Sequence, residues 1–130
     1  MQSIQRRAVL AAAISMLAAP TLADVKDYEF QLVQSEMKKG MGVEVAVRLV
    51  DKRTGKPVPD AVIFAKRIDM APDNMAAMDS PLEPLPTQQP GVYRFKTDLT
   101  MAGRWLLSLA AKVQGETGTV EGKLILKALP

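Results

Sequence analysis

The sequence contains neither cysteine nor histidine. Without cysteine, no disulfide can staple the fold. Without histidine, the commonest general base and the commonest metal ligand are both missing. Ser-His-Asp and Cys-His nucleophilic centres are therefore excluded, as is any zinc site built on imidazole or thiolate. Long apolar runs are scarce too. The longest, Ala8 to Pro20, covers 13 residues (20 − 8 + 1), whereas a membrane-spanning helix needs roughly 20. Aromatic residues are few: one Trp, two Tyr and three Phe. The remaining candidates for acid-base work are carboxylates such as Asp69 and Asp73, which lie in a loop-like stretch where such groups are ordinarily solvated. The chain thus reads as a non-enzyme.

What is present begins with a secretory signal over residues 1–23. Arg6 and Arg7 form a positive start, the Ala-rich run follows, and Thr21-Leu22-Ala23 closes it with a small residue at the cleavage position. A retained N-terminal anchor is the alternative, and the paired arginines raise a twin-arginine route. Export places the remaining domain, residues 24–130, in the periplasm with no stable membrane span. The whole chain has 17 basic and 14 acidic residues; removing Arg6 and Arg7 leaves 15 against 14, a net charge of +1. The two signs are interspersed, so nucleic-acid binding has no electrostatic support. A domain of about 107 residues can bury roughly two-thirds of its unfolded surface, enough for an ordinary core.

The periodicity of that domain is that of strands. Tyr28, Phe30 and Leu32 alternate with polar residues, and so do Val43, Val45, Val47 and Leu49. Gly40-Met41-Gly42 between these runs reads as a turn. Asp51 to Lys56 is a polar connection, and Pro57 and Pro59 mark an edge or a crossing between sheets. Asp60 to Ile68 is a core strand carrying Val62, Ile63 and Phe64. Asp69 to Pro90 holds five prolines and three methionines and reads as a long loop with at most one short strand near Leu82 to Leu85. From Pro90-Gly91 onward, Tyr93, Phe95 and Thr97 share one face. Met101 to Gly103 is a turn, Trp105 to Val113 an apolar central strand, Gly115 to Gly118 a hairpin loop, and Val120 to Leu129 the closing strand. In that last strand Leu124, Leu126 and Leu129 are the expected inward residues. About seven strands without a long amphipathic helix predict an all-β, immunoglobulin-like antiparallel sandwich.

Methionine supplies the one chemical signal. Met70, Met75 and Met78 fall within nine residues, and Met101 occupies a nearby turn if its end of the fold is shared. A thioether is a soft, neutral ligand suited to monovalent copper and needs no deprotonation. The same side chain is also a flexible filler of apolar gaps. Met37 and Met41 read as residues flanking a turn, Trp105 as a core residue, and Asp69, Asp73 and Asp79 as carboxylates able to add charge beside the methionines.

The order of TGKPVPDAVIFAKRIDM, a methionine-bearing stretch and PGVYRFKTDLTMAGRW resembles the FixH/YtkA-like domain family over roughly Val25 to Leu129. The resemblance implies an immunoglobulin-like periplasmic domain associated with heavy-metal efflux or cytochrome oxidase assembly. With the cleavable signal, it points to the soluble YtkA-like type rather than to anchored FixH. Two functions follow as expectations. In one, the domain binds or ferries copper as Cu(I) through Met70, Met75, Met78 and Met101. In the other, it is a metal-independent interaction module that docks on an efflux or respiratory component through the same apolar stretch.

Overall fold

The structure is a computed structural model and describes residues 25–130. The expected signal at 1–23 and the domain's first residue, Asp24, lie outside the described residues. Ten strands follow a 3-10 turn at Val25–Asp27: β1 (Tyr28–Leu32), β2 (Glu36–Lys38), β3 (Gly40–Asp51), β4 (Lys56–Pro57), β5 (Val62–Met70), β6 (Met75–Ser80), β7 (Glu83–Leu85), β8 (Val92–Leu99), β9 (Gly103–Lys112) and β10 (Val120–Leu129). One sheet runs β1-β3-β8-β7, with β4 paired to β3; the other runs β2-β10-β9-β5-β6. All pairings are antiparallel except β2 with β10. This is the expected immunoglobulin-like sandwich. The chain starts on one sheet in β1, then crosses to run parallel with the closing strand in β2.

Two-residue alternation builds the core. Val45, Val47 and Leu49 of β3 and Phe95 and Leu99 of β8 meet Ile68 and Met70 of β5, Trp105, Leu107, Leu109 and Ala111 of β9, and Leu126 of β10. Each is buried. Burying a side chain of this size contributes roughly 1.5–3 kcal/mol against leaving it in water. Trp105 is fully buried and donates its Nε1–H to the Met101 carbonyl at 3.1 Å, which satisfies its one polar atom inside the core.

Several expectations are corrected. Gly40 to Gly42 is no turn: β3 starts at Gly40, and the register with β8 shifts between Gly40 and Val43. This is a bulge, and Gly42 carries it at φ 64°. In β5, Val62 and Phe64 are exposed (64% and 56%), and the buried part is Ile68 to Met70. A register shift between Ile63 and Ala65 flips the faces there. The stretch 69–90 is not one long loop. β5 continues to Met70, a 3-10 turn covers Ala71–Asp73, and β6 and β7 follow; only β7 falls in the short-strand window expected near Leu82 to Leu85. β6 escapes a pattern reading because five of its six residues are alanine, methionine or aspartate and four in a row are exposed, leaving no period-two signal. In β10 the inward row is Val120, Leu124, Leu126 and Ala128, so Leu124 and Leu126 face inward as expected. Leu129 is on the other parity and only half-buried.

Candidate functional site at the methionine end

The sheet register brings all six methionines of the described residues to one end of the sandwich. β3 starts there, with Gly40 opposite Leu99, the last residue of β8. The turn holding Met101 comes next, and β9 starts with Gly103 opposite Ala128 of β10, itself opposite Met37 of β2. β5 ends at the same level, with Met70 directly opposite Met75. Met41 is the second residue of β3, and Met78 lies three residues beyond Met75 in β6. Of the four methionines singled out from sequence, Met70 and Met75 are therefore cross-strand neighbours. Met101 precedes the glycine on which the Met70 methyl rests: a Cβ added at Gly103 would lie 2.8 Å from Met70 Cε. Met78 sits in the same hairpin. Met37 and Met41 lie at the same end of the sandwich, Met37 on the sheet edge opposite to β6; spacing along the chain does not show this, because strand pairing sets it.

The six differ in burial. Met70 is fully buried, so it is a strand residue of the core rather than a loop residue. Met37 and Met75 pack against the core in partly buried positions. Met41 is 73% exposed, and Met78 and Met101 are each 38% exposed.

Arginine-carboxylate ties fix the hairpin and turn. Arg67 donates through Nε to Asp69 Oδ2 at 2.8 Å, through Nη1 to Asp79 Oδ2 at 3.1 Å and through Nη2 to the Ala76 carbonyl at 2.8 Å. The other oxygen of buried Asp69 accepts the Ala71 N–H at 2.8 Å. Asn74 takes the left-handed conformation, φ 61°, that reverses the chain into β6. Across the end, Asp73 accepts the backbone N–H and the Nε–H of Arg104, both at 2.8 Å, and Arg104 Nη2 donates to the Pro72 carbonyl at 2.6 Å. Gly42 N–H donates to Asp98 Oδ1, and Ser80 Oγ donates to the Asp98 carbonyl, which joins the two sheets at this end. The three acidic residues beside the methionines are thus engaged by arginine and backbone, and the thioethers remain as the soft donors.

The backbone N–H of Arg104, and then its side chain, hold the Asp73 carboxyl below its ordinary value. The hydrogen bonds from Arg53 and Arg94 do the same to Asp51 and Glu44. A carboxyl whose folded pKa is depressed stabilises the fold above its unfolded value, and that stabilisation is lost as pH falls through the folded value. These groups are solvent-screened, so each contributes modestly. The thermal midpoint should stay level from pH 7 to about pH 5 and fall below about pH 4. Asp73→Asn should flatten the acid limb. A midpoint already falling between pH 7 and pH 5 would contradict this account.

A concavity of about 210 Å³ lies along the side of the sandwich between β5 and β7–β8, with Ile63, Pro84, Leu85 and Phe95 as apolar lining and Lys66 and Arg94 as cations. None of its lining residues is a carboxylate.

The sequence motifs that suggested a family turn out to be two structural locks. Gly91, at φ 78°, leaves no room for a Cβ against Pro57. Two residues on, the Tyr93 hydroxyl donates to the Val58 carbonyl at 2.6 Å and accepts the Ala61 N–H at 3.1 Å. The Pro-Gly-x-Tyr strand is thereby fitted to the Lys-Pro-Val-Pro-Asp-Ala segment. The second lock is the Met-x-Gly-x-Trp turn, closed by Trp105 on Met101 and seated by Gly103 against Met70 and Asp73. Among the described residues, no helix is long and apolar enough to cross a membrane. No curated protein matches the chain. A family model described as YtkA-like matches residues 22–110. That span contains both locks and every methionine of the described residues, and the chain belongs to the YtkA-like family.

Proposed function

We propose that this chain is a non-enzymatic accessory protein of the periplasm that binds or ferries Cu(I) for an efflux or oxidase-assembly system, using the methionine end as its site. One observation carries the reading: strand pairing places six methionines from separate stretches of chain toward one end of the fold, with Met70 directly opposite Met75. Packing needs alone would scatter methionine wherever the core has gaps. Met78 and Met101 are the exposed ligands of the set, with Met75 partly buried and Met70 fully buried beside it. The periplasmic location is supported by family membership and by the charged start, apolar run and small closing residue of the N-terminal segment.

Anaerobic titration of the protein with Cu(I), Ag(I) and Zn(II) tests the reading. Saturable binding of the two soft monovalent ions, with Zn(II) excluded, is expected, because zinc favours thiolate, imidazole and carboxylate. Affinity should change little between neutral and mildly acidic pH, since a thioether takes up no proton. A combined Met75→Leu, Met78→Leu, Met101→Leu variant should lose binding and keep its fold, leucine being close in volume. Equal Cu(I) affinity in that variant would remove the site from this end.

A second reading is favoured by the exposure of Met41, Met78 and Met101. Flexible thioethers also make an adaptable partner surface, so the end would dock on an envelope protein without metal. Failure of both Cu(I) and Ag(I) to bind would favour it.

A further inference from the structure

We infer that Met41, Met78 and Met101 form a sulfoxidation site that switches the methionine end from apolar to polar while leaving the sandwich intact. The six methionines of the described residues fall into two classes. Met37, Met70 and Met75 hold ladder positions, paired with Ala128 or with each other, and are buried or partly buried. Met41, Met78 and Met101 have no ladder partner. Met41 lies in the β3 bulge between Gly40 and Val43, Met78 in the unpaired part of β6 between Met75 and Asp79, and Met101 in the β8–β9 turn. These same three are the exposed ones. Position outside the ladder means that a new polar oxygen on the side chain displaces no backbone pairing, and exposure means that water solvates it.

Within residues 25–130 the rest of the composition directs an oxidant to this end. The chain has no cysteine to compete, and its single tryptophan is fully buried. With hypochlorous acid as oxidant, a thioether sulfur gives up two electrons and gains the oxygen. The S–O bond forms, the O–Cl bond breaks, chloride leaves and the hydroxyl proton passes to water. The product is a sulfoxide, reducible by methionine sulfoxide reductases at the expense of a thiol. Burial withholds Met70, whose methyl lies against Gly103. A sulfoxide has a polar oxygen where the thioether had a soft apolar surface, so the end loses affinity for a soft cation and for an apolar partner alike. The soft-cation consequence rests on the proposed copper site; the order of oxidation does not.

The test is a stoichiometric titration of the full chain with hypochlorous acid at neutral pH, followed by peptide-mapping mass spectrometry. Gains of about 16 Da per sulfoxide should come first at Met41, next at Met78 and Met101, and at Met70 only after unfolding. The triply oxidised protein should keep its cooperative thermal transition, elute earlier from a hydrophobic-interaction column, and return to its starting elution after treatment with the reductases. It should also lose Ag(I) binding if the parent binds Ag(I). Oxidation of Met70 or Met75 together with Met41, or an unchanged column retention, would overturn the inference. A parent that binds no Ag(I) but oxidises in the stated order would overturn the copper reading alone.

Discussion

Val47→Asp should unfold the domain or bring it to the edge of unfolding. Val47 is fully buried on β3, between Leu32 of β1 and Tyr93 of β8, with its side chain in the core between the sheets. An aspartate there is a buried carboxylate with no cation partner in the core. It is forced either to ionise in an apolar surrounding or to stay protonated at neutral pH, and both are unfavourable. The expected loss is about 4 kcal/mol or more, against a total stability of roughly 5–15 kcal/mol for a domain of this kind. Glu44→Lys, three residues away on the opposite face, is the control. From sequence it is simply a wet position. In the structure Glu44 takes a two-pronged bond from Arg94, at 2.8 Å from Nε and 2.9 Å from Nη2. Lysine there sets two like charges side by side, so a small loss replaces the neutrality that the pattern alone suggests. Urea denaturation of both variants settles the matter: losses of similar size would mean that the inward and outward faces of β3 are exchanged.

That comparison shows which features the sequence could carry. The rows on β3 and β8 are legible because each alternates apolar with polar residues, and a single register places a whole row at once. Trp105 and β9 are legible for a different reason, a continuous apolar run that reads as a central strand. The stretch 69–90 is not, because β6 is exposed along most of its length and its turn is made by Asn74 in a left-handed conformation rather than by a glycine or a proline pair. Proline in β7 is tolerated because β7 is an edge strand. The bulge at Gly40 to Val43 mimics a turn in sequence, since two glycines around one side chain suit both. Four of the six methionines of the candidate site were legible: Met70, Met75, Met78 and Met101. Met37 and Met41 needed the pairing of Met37 with β10 and the start of β3 beside the end of β8, which no local pattern encodes. The Asp73 tie to Arg104 is likewise a contact between residues 31 apart.

Gly103→Ala should cost about 3 kcal/mol or more, from strain and overpacking together, and the loss should be felt at the methionine end. Gly103 has φ 141°, a conformation that L side chains rarely adopt. An added Cβ would stand 2.5 Å from Asp73 Oδ2 and 2.8 Å from Met70 Cε. Neither neighbour yields easily. Asp73 is held by the backbone and side chain of Arg104, and Met70 is enclosed by the core. Relief requires breaking the Asp73–Arg104 tie, moving Met70 off its partner Met75, or both. Gly115→Ala separates the two causes, because Gly115 also has positive φ, 90°, but nothing lies within 4 Å of its added Cβ. It should therefore show backbone strain alone, about 1 kcal/mol. Asp73→Ala supplies the remaining leg. If the clash with Asp73 carries much of the Gly103→Ala penalty, the double variant should be more stable than the sum of the two single losses allows, with a coupling of about 1 kcal/mol or more. Strict additivity in denaturant titration would show that Asp73 is not what the new methyl meets, leaving the displaced Met70 as the source of the loss.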